Sequence, residues 1–134
     1  MNLRIIISSV LFFMSFPPFN FWYLIFPSLF FFYSGILLSN KPFLSGLVFG
    51  AISFGVILFG IQSIGYEAWI PLSVLMGLLY GFYGKLFKFI AVKTNNNFFI
   101  LIGIISTFDL LRAYFPFGGF PWGSTSTVLI SGYR

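Results

Sequence analysis

Cysteine and histidine are both missing from this chain, and its 134 residues include only two acids, Glu67 and Asp109. Without cysteine there is no disulfide framework, no thiolate nucleophile and no cysteine-based metal site. Without histidine the commonest metal ligand and general base is gone as well. A paired general acid and base is not visible either, because Glu67 stands alone on a short polar turn and reads as a solvated carboxylate. Chemistry by this chain alone is therefore not expected, nor is a metal or other cofactor. Charge of either sign is scarce. Only 7% of residues are charged, against about 25% in ordinary globular chains, too few to cover a water-soluble core.

Apolar residues take that place, 59% of the chain with 22 Phe among them, so the composition is that of a membrane protein with the lipid bilayer as its surroundings. The net charge of +5 does not imply nucleic acid, because the bases fall singly between apolar runs and form no patch or stripe. Five apolar runs are separated by short polar or Pro/Gly breaks. The first, residues 3–16, resembles a signal peptide at its start, but Pro17, Pro18, Phe19 and Asn20 follow it in place of small cleavage-site residues, so it is expected to be retained. The second run, 21–38, opens on the interfacial aromatics Trp22 and Tyr23, and Pro27 is expected to kink it. The third, 43–64, and the fourth, about 68–92, carry the small-xxx-small spacings Gly46–Gly50 and Gly77–Gly81, with Gly84 beyond. Such glycines either let two helices approach closely or are merely tolerated, since membrane helices carry more of them. The fifth run extends from Phe98 to about Tyr114, and a sixth apolar stretch begins at Val128.

The fold class expected is an all-α, polytopic transmembrane helix bundle with about five complete spans and the start of a sixth. Arg4, Lys41, Lys85, Lys88 and Lys93 fall on one side if the spans alternate. By the positive-inside rule the N-terminus is cytoplasmic and the loop after Tyr114 faces outward.

The most informative stretch is Asp109 to Trp122, DLLRAYFPFGGFPW. Asp109 and Arg112 are three residues apart on a helix and can pair, which lowers the cost of placing charge beside hydrocarbon. They read either as an ion pair that ends the helix or as an arginine kept for a phosphate or carboxylate. Phe120, Pro121 and Trp122 lie in a loop that Gly118 and Gly119 free to bend; they read as an interface belt or as the mouth of a site. The hydroxyls of residues 124–127 have no base beside them in the sequence, which argues against a nucleophilic serine.

The order of these features resembles the N-terminal membrane half of bacterial apolipoprotein N-acyltransferase. The matching pieces are Ser15 to Trp22, SFPPFNFW; Phe59-Gly60-Ile61; Leu79 to Phe87, LYGFYGKLF; and Asp109-Leu110-Leu111-Arg112 leading to Gly119-Phe120-Pro121-Trp122. The resemblance implies an eight-helix bundle in the bacterial cytoplasmic (inner) membrane, carrying an extracytoplasmic nitrilase-like domain with a Glu-Lys-Cys triad. That enzyme moves an acyl chain from a phospholipid donor to the N-terminal cysteine of a lipoprotein acceptor. It also implies that Phe120, Pro121 and Trp122 line the lipid entry and that Asp109 and Arg112 brace the loop. Departures from the family pattern are Asp109 for the usual Glu, Ala113 for the usual Gly, no Trp around Gln62-Ser63, and a longer segment between Trp122 and Gly132. The catalytic half is missing. Residues 1–134 are thus expected to be an incomplete N-terminal transmembrane domain: a fragment, a split gene whose nitrilase-like half is separately encoded, or a remnant. A small transporter or channel subunit, or a non-catalytic membrane scaffold, would show the same glycine-patterned helices. An open frame downstream encoding a Glu/Lys/Cys domain would distinguish them.

Overall fold

A computed structural model describes residues 3–59, 65–115 and 124–131, and these are helical, with no strand among them. The order is α1 (Leu3–Met14), a 3₁₀ turn (Trp22–Leu24), α2 (Ile25–Leu38), α3 (Pro42–Ile57), α4 (Tyr66–Lys93), α5 (Phe98–Tyr114) and the short α6 (Thr125–Ser131). At about 1.5 Å rise per residue, α1 is about 18 Å long and α4 about 42 Å. Among the described residues only α4 is both long and apolar enough to cross a membrane unaided; α1, α2 with its preceding turn, and α3 are apolar but shorter.

Local chemistry explains where these helices start and stop. The chain enters α2 through the 3₁₀ turn, which places Pro27 in the first turn of α2, where its missing N–H has no intrahelical role. The kink expected at Pro27 in a continuous 21–38 helix therefore does not arise; the run is a turn followed by a helix. Between α4 and α5, Asn95 and Asn96 take φ of 51° and 57°, a left-handed conformation that asparagine tolerates better than most residues. Asn97 then caps α5, its side chain accepting from the backbone N–H groups of Phe99 and Ile100 at 3.1 and 3.4 Å.

The closest approach in the bundle joins α3 to α4, and the two glycine spacings face each other across it. A Cβ on Gly46 would run into the carbonyl of Tyr80, and one on Gly50 would lie 2.8 Å from that of Met76. From the other side, a Cβ on Gly84 would lie 2.9 Å from the Pro42 carbonyl oxygen and one on Gly81 3.1 Å from that of Phe43. Without side chains in the way, the two backbones pack directly. Gly55 and Gly103 have open space instead. The α1–α2 contact is polar: Ser8 Oγ donates to the Ser28 carbonyl at 2.8 Å, and Ser28 Oγ donates to that of Ser8 at 2.9 Å.

Aromatic rings fill the interior. Phe12 meets Phe49 edge-on at 5.2 Å, Phe32 lies 4.3 Å from Phe49, and Phe49 and Phe54 both pack against Tyr80. The outside is apolar too, with Ile70, Val74, Leu78, Phe82, Leu86 and Phe89 all exposed along α4. Several buried positions are polar, including Ser8, Ser28 and Arg112. Such a surface calls for a cover of lipid or protein rather than water.

Candidate functional site

Arg112 lies in the last turn of α5, yet its side chain turns into the bundle and is only 3% exposed. Phe54 of α3 and Tyr80 of α4 form the walls around it. The guanidinium carbon is 5.3 Å from the Phe54 ring centre and 5.9 Å from that of Tyr80, and Nη1 donates to the Tyr80 hydroxyl at 3.4 Å. A planar guanidinium can be buried this way because aromatic faces attract it and a phenol oxygen accepts from its edge. Its Nη2 lies 3.8 Å from Asp109 Oδ1, one helical turn back. Asp109 keeps 30% exposure, and its Oδ2 accepts from Thr125 Oγ1 at 2.7 Å. Three helices are thereby linked in series: α4 through Tyr80, α5 through Arg112 and Asp109, α6 through Thr125.

Beside this link, the Tyr33 and Tyr83 hydroxyls are 2.9 Å apart, and the Tyr83 ring stacks on Phe108 at 3.9 Å. Tyr33, Tyr83, Asp109 and Thr125 contribute to the lining of a cavity of about 20 Å³ whose other walls are aromatic and aliphatic, Leu29 and Ile105 among them. That is room for about one water molecule among polar groups able to hold it.

The structure therefore joins residues far apart in the chain. Tyr80, Phe54 and Thr125 were not singled out by sequence reasoning as partners of Arg112 and Asp109. For Tyr80 a signal exists, since it shares a helix face with Gly77, Gly81 and Gly84 and so must face inward with them. For Thr125 the sequence reading needs correction: it found no base beside the hydroxyls of residues 124–127, but folding puts the Asp109 carboxylate against Thr125. Glu67 is exposed in the first turn of α4. Phe120, Pro121 and Trp122 lie in 116–123, outside the described residues. The linked side chains belong to α5, which ends before that stretch, to α6, which begins after it, and to α4.

A family model described as Apolipoprotein N-acyltransferase N-terminal domain matches residues 8–133, which include every residue of this site. The chain belongs to the apolipoprotein N-acyltransferase N-terminal domain family. Apolipoprotein N-acyltransferase of Aquifex aeolicus (strain VF5) is similar to it, 30% identical over 136 residues that cover 90% of this chain and 28% of the relative. The chain thus spans little more than a quarter of that acyltransferase's length. No solved structure matches. Within this N-terminal domain, the Arg112–Asp109–Thr125 link joins the two helices on either side of residues 116–123.

Proposed function

We infer that this chain serves as the N-terminal membrane domain of an apolipoprotein N-acyltransferase-like enzyme, seated in the bacterial inner membrane with its N-terminus in the cytoplasm. The family match over 8–133 carries this reading. Five helices cross or enter the bilayer, α1, α2 and α3 being short enough to need flanking residues or local thinning at their ends. The exposed apolar stripe of α4 supports lipid contact. Phospholipid is the acyl donor and a lipoprotein N-terminal cysteine the acceptor. Because the chain has no cysteine, the thioester-forming group belongs to a nitrilase-like half supplied from outside these 134 residues. Phe120, Pro121 and Trp122 guide the lipid, and the Arg112–Asp109–Thr125 link holds their loop at its root.

The missing cysteine makes a topology test clean, since any introduced thiol is the only one. Asn96→Cys and Ser124→Cys are expected to react with a membrane-impermeant maleimide from opposite sides, Asn96→Cys only after the cytoplasmic face is opened. Labelling of both from one side overturns the span count.

The purified chain is expected to transfer no acyl group to a lipoprotein peptide, and to do so once combined with a separately expressed nitrilase-like half. In that reconstituted enzyme Trp122→Ala should depress transfer by about tenfold or more while leaving the melting temperature unchanged, because a loop ring acts by positioning the substrate. Full activity of Trp122→Ala removes the loop from the site, and no transfer by any combination of halves removes the enzymatic reading.

A further inference from the structure

Between α4 and α5 a groove of about 850 Å³ opens to the outside, and its walls are almost wholly hydrocarbon. Phe82, Leu86 and Phe89 form one side, and Ile100, Ile104 and Leu111 the other. Thr107 adds a hydroxyl, but that hydroxyl already donates to the Gly103 carbonyl at 2.7 Å. The one charged lining group is Lys85. A second hollow, of about 600 Å³, shares Lys85 and Phe89 with the first and adds Lys88 and Lys93. Along α5 the groove runs from Ile100 to Leu111, about 16 Å at the helical rise. That is the depth of one leaflet of a hydrocarbon core about 30 Å thick. An apolar channel about one leaflet long therefore carries Lys85 midway along its α4 wall, and the hollow that holds Lys88 and Lys93 adjoins it through Lys85 and Phe89.

Those charges lack acidic side-chain partners. The chain's two acids are elsewhere: Glu67 in the first turn of α4, about 27 Å along the helix from Lys85, and Asp109 bound to Thr125 and Arg112. Lys88 donates to the Ser39 carbonyl, and Lys93 lies over the Phe89 ring at 6.0 Å, which leaves the positive charge of the cluster uncompensated. An occupant with a hydrocarbon chain for the groove and an anion for the lysines beside it fits both.

We propose that the α4–α5 groove binds an anionic phospholipid of the lysine-side leaflet, its phosphate at Lys85 with Lys88 and Lys93, and an acyl chain laid between Phe82 and Ile104. Basic pockets between membrane helices recognise lipid headgroups in this way. The inference rests on the membrane reading above. Lys88 and Lys93 stand by the 94–97 turn, at the end of α5 away from residues 116–123, so we assign this lipid a structural role and not that of donor of the transferred chain.

The test uses the full chain in phosphatidylcholine nanodiscs doped with a photo-crosslinkable lipid, either phosphatidylglycerol or phosphatidylcholine, with the labelled peptides mapped by mass spectrometry. The phosphatidylglycerol probe should label α4 and α5 groove residues several-fold more than the phosphatidylcholine probe. Lys85→Gln should cut the phosphatidylglycerol labelling by about fivefold, the share of one basic group at an anionic surface. Gly103→Leu offers an independent arm: Gly103 lines the groove and a Cβ there meets nothing within 4 Å, so the leucine has open space to enter. It should abolish labelling by both probes with the melting temperature kept. Equal labelling by the two probes, unchanged preference in Lys85→Gln, unchanged labelling in Gly103→Leu, or groove-to-groove cross-links between two copies each overturn the proposal. Carbonate extraction separates the two readings. A chain released at high pH removes the membrane reading itself, whereas one that stays integrated without lipid preference removes only this site.

Discussion

Arg112→Ala is expected to lower the stability of the detergent-solubilised chain by about 2–4 kcal/mol. Breaking one side of a buried pair costs about 3–5 kcal/mol, and the lower range allows for partial solvation of the partner. Asp109 supplies that allowance, with 30% exposure and the Thr125 hydroxyl on its other oxygen. Beyond the pair, the change empties the space against the Phe54 and Tyr80 rings and takes the donor from the Tyr80 hydroxyl. Since Arg112 and Asp109 join α4 to α6, the loss should loosen α6 first, seen as faster hydrogen exchange over 125–131 than over α3. The double variant Asp109→Asn with Arg112→Gln removes both charges at once and should recover part of the loss, because no uncompensated charge remains inside. The measurement is thermal melting of the three proteins in one detergent. An Arg112→Ala protein as stable as the parent would mean that the link is incidental, and a double variant less stable than either single change would mean that charge is not the issue.

Gly46→Ala should be nearly as damaging through a single methyl group. Its Cβ would collide with the Tyr80 carbonyl and crowd Gly81 Cα at 3.1 Å; both are backbone of the facing helix and cannot rotate aside. The helices must separate, so the expected loss is about 3 kcal/mol, the upper part of the range for overpacking. Gly55→Ala is the matched control on the same helix. With nothing within 4 Å of its Cβ it should be neutral, or gain up to about 1 kcal/mol from helix propensity. Equal melting temperatures for Gly46→Ala and Gly55→Ala would sink the claim that α3 and α4 pack backbone to backbone.

Much of the helical layout is legible in the residues. The end of α4 and the start of α5 follow from Asn95, Asn96 and Asn97, whose chemistry suits left-handed turns and caps. The end of α5 follows from Pro116, which disfavours helical backbone just before it. Less legible were the ends of α1 and α3, which stop at Met14 and Ile57 although the apolar runs continue to residues 16 and 64. Hydropathy cannot mark those ends. Phe16 is apolar and buried, yet it lies in the turn after α1 rather than in the helix. For the same reason Pro27 looked like a kink: period and composition do not reveal that α2 begins only at Ile25.

The sequence by itself determined that the chain is helical and apolar, that it carries no thiol for acyl transfer, and that Asp109 and Arg112 share a face. Each follows from residue type and spacing within one segment. Only the tertiary structure decided which glycines are contacts and which are spare, that Arg112 is enclosed by Phe54 and Tyr80, that Thr125 closes on Asp109, and that α4 and α5 leave an apolar groove between them with Lys85 on its wall. Helical periodicity says which residues look the same way, but not which helix they look at. That choice is made by how closely two backbones can approach, and therefore by the absence of side chains at Gly46, Gly50, Gly81 and Gly84.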